Sequence, residues 1–214
     1  EATTDSGVTP LSVAALHGHV DIVTALANAG ANVSATDNTG ATPLMFAAAQ
    51  GHSRVLEALV SRGADANAKD KGGITALMAA ASSGRVNAAR VLLDTGADAN
   101  ATDLQGTSAL MAAAFGGHAA VGTLLLSRGA NPNSRDQSGR TALMATALSG
   151  DTATATALLA AKADLGAEDL AGSTALTYAA SSGHAPIVDL LMTAGLTTGR
   201  DLADSQLFGH RRGA

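Results

Sequence analysis

Gly7, Gly40, Gly73, Gly106, Gly139 and Gly172 follow one another at a constant interval of 33 residues. Five of them lie three residues after an aspartate (Asp37, Asp70, Asp103, Asp136, Asp169), and all six precede a Thr or Ser by two positions and a Leu by four. The unit reads D-x-x-G-x-[ST]-[PA]-L. Self-similarity at this interval specifies stacked supersecondary units, each burying its apolar face against its neighbours. A hydrophobic fraction of 46% with only 2% aromatics would be poor material for one large core. In a stack of small units it is adequate, because alanine permits close helix approach and has the highest helix propensity.

Local signals place the elements inside a unit. Thr9-Pro10 and Thr42-Pro43 put a hydroxyl at a helix N-cap and proline at the first helical position; Thr75, Ser108, Thr141 and Thr174 repeat the cap without the proline. The first helix ends at Gly18, Gly51, Gly84, Gly117, Gly150 or Gly183. After it, Ile22, Ala25 and Leu26, or Val55, Ala58 and Leu59, carry the i, i+3, i+4 spacing of a second helix with one buried face. Gly30, Gly63, Gly96, Gly129 and Gly195 are expected to close it, and a polar loop such as Ala66-Asn67-Ala68 leads to the next aspartate. The expected pattern is six helix pairs, near 9–17 and 19–29 and at each translation by 33, with essentially no sheet.

The runs Asp37-Asn38-Thr39-Gly40-Ala41-Thr42-Pro43-Leu44, Gly51-His52 and Gly63-Ala64-Asp65-Ala66-Asn67-Ala68 resemble the ankyrin repeat, with six in-register copies over roughly residues 4–198. The resemblance implies an all-α solenoid of stacked helix pairs with hairpin loops, curved so that hairpin tips and first helices line a groove. On this reading residues 1–200 form the array, and 201–214 a C-terminal capping helix and tail.

Departures from the family pattern carry information. Where the family usually has His in its T-P-L-H stretch, this chain has Ser12, Met45, Met78, Met111, Met144 and Thr177. The four stacked methionines read as an adaptable packing ladder. Lys162 replaces a helix-closing glycine, at a cost of roughly 1–2 kcal/mol if its backbone is left-handed. Gly122 sits within a second helix at about 1 kcal/mol relative to Ala. Together with the weakly apolar run Thr152–Thr156, these residues mark units four and five as the softest. Beyond Gly195, the pair Gly209-His210 follows Gly183-His184 by 26 residues instead of 33, so Asp201–Leu207 reads as a capping helix before the basic Arg211 and Arg212.

Several function classes find no support. A net charge of −5 gives no reason to expect nucleic acid or an anionic membrane as partner. Apolar stretches such as Ala109–Phe115 fall far below the ~20 residues of a membrane span. The chain has no Cys, which removes disulfides and thiolate metal sites. His19, His52, His118 and His184 share one repeat position, and units ~8–10 Å apart cannot bring neighbours onto one ion with bonds of about 2.0–2.3 Å. The repeated aspartates suit a structural task, accepting hydrogen bonds from loop amides. No nucleophile elbow or phosphate loop appears, so no catalytic residue, metal ligand or cofactor is assigned.

What varies from unit to unit is what structure does not dictate. By the family resemblance, the positions flanking the hairpin Asp and Gly and those ending the first helix face the groove. They include Lys69, Lys71, Ile74, Leu104, Gln105, Phe115, Arg135, Gln137, Arg140, Leu148 and Leu170. Apolar residues here resemble an interface core, flanked by the basic pairs Lys69/Lys71 and Arg135/Arg140; ordinary scattered surface exposure is the competing account. The expected function is a non-catalytic scaffold, monomeric, binding a protein partner through the concave face. An accessory or protective subunit of an enzyme and a structural spacer stay open, and co-elution with an active enzyme would separate them. The Ala-rich, Cys-free composition and the T-A-L-M-A-A-A runs point to a bacterial chain, and the start at Glu1 without an initiator Met leads to the expectation of the periplasm over the cytoplasm.

Overall fold

Each hydroxyl-capped start opens a short helix in the computed structural model, which describes residues 3–195. The first helices are α1 (Pro10–Leu16), α3 (Pro43–Gln50), α5 (Ala76–Ser82), α7 (Ala109–Phe115), α9 (Ala142–Ser149) and α11 (Ala175–Ser181). The second helices are α2 (Val20–Asn28), α4 (Ser53–Val60), α6 (Val86–Asp94), α8 (Ala119–Ser127) and α10 (Thr152–Ala160), and residues 185–195 are helical as well. In all six first helices the Thr or Ser N-cap accepts from the backbone N–H three residues on, at Ser12, Met45, Met78, Met111, Met144 and Thr177. Among the described residues the only extended pairing is one bridge between Thr102 and Ser108.

Two rows of helices result. α1, α3, α5, α7, α9 and α11 pack in series, and α2, α4, α6, α8 and α10 form a parallel row behind them. The Leu two residues after each cap is sealed in five units (Leu11, Leu44, Leu77, Leu110, Leu143), each worth about 1.5–3 kcal/mol of burial. Leu176, with no described unit beyond it, is partly exposed. Paired alanines such as Ala80-Ala81 and Ala113-Ala114 hold the first-helix row close, while Leu56, Leu59, Leu92 and Leu125 fill the second. The four methionines are all buried, as packing groups.

Three side-chain and backbone series tie neighbouring units at the same interval. In the hairpins, Asn38 N–H donates to Ser6 O, Lys71 to Thr39 O, Leu104 to Gly72 O, Gln137 to Gln105 O and Leu170 to Ser138 O, at 2.8–2.9 Å. This contact requires the hairpin glycine: Gly73 has φ +81°, and a Cβ there would lie 2.8 Å from Leu104 N. In the polar loops, Asn67, Asn100 and Asn133 each donate through Nδ2 to the carbonyl of Gly96, Gly129 and Lys162, and each accepts a backbone N–H of the next unit.

The third series explains three of the histidines. His52 Nε2 bonds Leu16 O at 3.0 Å, His118 bonds Ser82 O at 3.0 Å and His184 bonds Leu148 O at 3.1 Å. A carbonyl only accepts, so Nε2 carries the proton in each. Arg85 Nε does the same task for Ala49 O at 3.2 Å. Position 151 of the series is Asp, which cannot donate when ionised. Asp151 instead caps α10, and the tie between units four and five is made by Ser149 Oγ to Ala114 O at 2.7 Å.

Two of the helix-closing positions depart from the glycine pattern in different ways. Lys162 is the single non-glycine residue with positive φ among the described residues, at 62°. Gly195 does not close its helix; it is the last described residue and is helical, because the chain at 185–195 carries on past the point where the earlier second helices stop. The expected capping helix at 201–207, Gly209-His210 and the Arg211, Arg212 tail lie outside the described residues.

Gly122 has a packing role. A Cβ on it would lie 2.8 Å from Thr154 Cγ2 and 2.9 Å from Thr154 Oγ1. Thr154 is fully buried, and its hydroxyl donates to Asp151 Oδ2 at 2.5 Å, so this β-branched side chain cannot swing away cheaply.

Two stability outcomes are expected in urea titrations. Lys162→Gly should stabilise by a few tenths to ~1 kcal/mol, since relief of the left-handed strain exceeds the added unfolded-state entropy; a loss would show that Lys162 holds contacts worth more than the strain. Gly122→Ala should destabilise by about 1–2 kcal/mol despite the better helix propensity of Ala. In a Thr154→Ala background the same change should cost nothing, and an unchanged penalty there would refute the steric account.

Candidate functional site

Backbone ladders settle which hairpin side chains face outward. At the position after each hairpin aspartate the N–H is committed to the preceding hairpin, so the side chains of Lys71, Leu104, Gln137 and Leu170 project from the edge in single file. All four are exposed, Leu104 at 60% and Leu170 at 81%. Gln137 reaches back along the file, Nε2 donating to Leu104 O at 2.6 Å. Gln105 gives its N–H to Asp103 Oδ1 and leaves its side chain exposed.

Each hairpin is fixed by its aspartate. Asp70, Asp103, Asp136 and Asp169 accept through Oδ1 from the amides two and four residues on, at 2.8–2.9 Å. Asp37 adds the Thr39 hydroxyl at 2.6 Å. Burial opposes its charge, but the Thr39 hydroxyl and the amides of Ala41, Thr39 and Gly40 outweigh that and hold its carboxyl below the usual range. These carboxylates are structural acceptors, as the spacing implies.

One step further along the hairpin stand Ile74 and Arg140, beside the ends of the first helices where Phe115 and Leu148 lie, each of the three apolar residues 36–40% exposed. Arg140 is held tightly. Its N–H donates to Asp136 Oδ1 at 2.9 Å, its Nε to Asp136 Oδ2 at 2.8 Å, and its Cζ lies 5.3 Å from the centroid of the Phe115 ring. Asp136 itself is 7% exposed, a buried support beneath the guanidinium.

Lys69 and Arg135 are placed otherwise than as rim charges around that aromatic. Lys69 Nζ donates to Thr102 O at 2.8 Å, and the Arg135 guanidinium donates to Glu168 O. Both precede a hairpin aspartate, and both span one repeat to the equivalent residue of the next unit. Of the basic groups named from the sequence, Arg140 is the one brought against Phe115, while Lys71 Nζ has no hydrogen bond among the described residues.

Tyr178 is a residue of this face that the repeat spacing does not single out. Its hydroxyl donates to Asp169 Oδ2 at 2.5 Å. That bond holds Asp169 below the usual carboxylate range and pushes the Tyr178 phenol above its own. Tyr178 shares its repeat position with Val13 and Phe46, so all three described aromatics, Phe46, Phe115 and Tyr178, lie on first helices. The signal available was that column of the repeat alignment; the partner carboxylate nine residues upstream was not visible in it.

The first-helix and hairpin face thus carries the exposed Ile74, Leu104, Phe115, Leu148 and Leu170, and Oδ1 of each hairpin aspartate already accepts from the hairpin amides. The family model described as ankyrin repeats (3 copies) matches residues 1–70, 62–136 and 123–200. The chain belongs to the ankyrin-repeat family. No curated protein matches it. Ankyrin repeats generally mediate protein–protein interactions, and ankyrin-repeat proteins are generally non-catalytic scaffolds. No helix among the described residues of this ankyrin-repeat chain is long and apolar enough to cross a membrane.

The Tyr178–Asp169 pair yields a pH-dependent outcome. A depressed carboxyl contributes stability above its ordinary value near 3.8 and loses it as pH falls through the folded value. A raised phenol contributes below 10.0 and loses it as pH rises through the folded value. Tyr178→Phe should therefore lower the thermal midpoint most between these limits, the gap to the parent narrowing as pH falls below 3.8 through the depressed carboxyl and as it rises above 10.0 through the raised phenol. A gap constant with pH would mean that the two groups are not coupled.

Proposed function

We propose that this chain is a non-catalytic scaffold that binds a protein partner through the face built from its hairpin tips and first helices. The observation that carries the reading is the exposed apolar set at Leu104, Phe115 and Leu148, located where the repeats vary and where no internal packing demands it. The second-helix side offers a different surface. Arg62 donates to Ala58 O and to Asn28 Oδ1, and Arg128 pairs with Asp94 at 2.6 Å, so its charges serve neighbouring units. A protein partner suits the chain better than nucleic acid, because a net charge of −5 supplies no counterion-release term toward phosphates.

The test compares the two sides with a partner co-purified from the native source. Phe115→Ala should weaken binding by ~2 kcal/mol, chiefly through faster dissociation, as for a central aromatic anchor. Arg62→Ala and Arg128→Ala should leave affinity within a few tenths of a kcal/mol, because exposed pairs of this kind contribute little. A partner released by the arginine changes but indifferent to Phe115→Ala would move the binding function to the opposite side.

A further inference from the structure

We infer that the Phe115–Arg140 corner is a receptor for a carboxylate side chain carried next to an apolar residue in an extended segment of the partner. The inference rests on the binding face proposed above and names its chemistry. It comes from a donor and acceptor count of the corner. Asp136 accepts from Ser138 N–H, Arg140 N–H and Arg140 Nε. Asp169, the other carboxylate near Arg140, accepts from Ala171 N–H, Ser173 N–H and the Tyr178 hydroxyl. The acceptors are supplied.

Arg140 is supplied on one edge only. Its Nε is taken by Asp136 and one face lies over Phe115, whereas its two terminal nitrogens make no hydrogen bond among the described residues. What the corner lacks is therefore an acceptor with two oxygens in the plane of a guanidinium, which a carboxylate provides. The countercharge does not block it: the Asp136 side chain is only 3% exposed, against 37% for Arg140, so an incoming group meets the arginine. Pre-fixing the guanidinium between Asp136 and Phe115 also lowers the ordering cost of binding.

Position argues for a segment that passes through. Exposed Ile74 and Leu104 lie on units preceding Arg140 and exposed Leu170 on the unit after it, so apolar contacts are available on both sides. Lys71, two units before Arg140, is a second hairpin cation, its Nζ without a hydrogen bond among the described residues. Two repeat steps amount to roughly 16–20 Å, which an extended chain covers in about five or six residues at ~3.3 Å each.

The probe is a displayed library of random dodecapeptides, selected on the intact 214-residue chain. The expected result is enrichment of peptides with Asp or Glu beside a large apolar residue. For a selected peptide, changing that acid to its amide should weaken binding at least tenfold. Arg140→Gln should cause a similar loss, and the two changes together should cost little more than either alone. Arg140→Lys, which keeps the charge without the fork, should recover only part. The peptide change needs no protein variant, so misfolding of Arg140→Gln cannot mask the answer. Peptides sensitive to Phe115→Ala but indifferent to the amide change and to Arg140→Gln would keep the binding face and overturn the carboxylate. Peptides indifferent to Phe115 as well would overturn both.

Discussion

The hydrogen bond from one hairpin amide to the preceding hairpin carbonyl governs the rest of the molecule. It repeats at 2.8–2.9 Å from Asn38 to Leu170 and sets the step between units. The glycine of each of the first five hairpins permits that approach, and the aspartate shapes the loop that offers the amide. Once the step is fixed, small side chains are needed between first helices, and Ala80-Ala81 and Ala113-Ala114 supply them. The face proposed for binding follows from the same ladder, since an amide turned along the stack leaves the side chain of its own residue pointing away from it.

Much of this was legible in the sequence because its causes are local. Caps at Thr9, Thr42, Thr75, Ser108, Thr141 and Thr174, the acceptor role of the hairpin aspartates and the left-handed backbone at Lys162 all follow from residues within a few positions of one another. Contacts between units were not legible to the same degree. Lys69 and Arg135 read as charges beside the groove, yet each donates to a carbonyl 33 residues away. Gly122 read as a weak point in a helix, whereas its missing side chain accommodates Thr154 of the next unit. Gly195 read as a helix stop by analogy with its column, and the helix is intact there.

The candidate site shows the same division. Columns of the repeat identified where variable side chains stand, hence Leu104, Phe115, Arg140 and Leu148. They could not tell which cation approaches the aromatic, because that depends on whether a carbonyl of the next unit lies within reach. Tyr178 and Asp169 are nine residues apart, a separation set by hairpin and helix geometry together.

Lys162 shows how such an array tolerates exceptions. In a globular core a strained residue disturbs packing in several directions at once. Here its carbonyl still receives Asn133 from the unit before, and its cost is confined to neighbours on either side. Tolerance of that kind makes chain length a separate variable from chain quality. Whole units can be gained or lost by recombination without redesign of the remainder, and a defect in one unit leaves distant surface free to diverge toward new ligands.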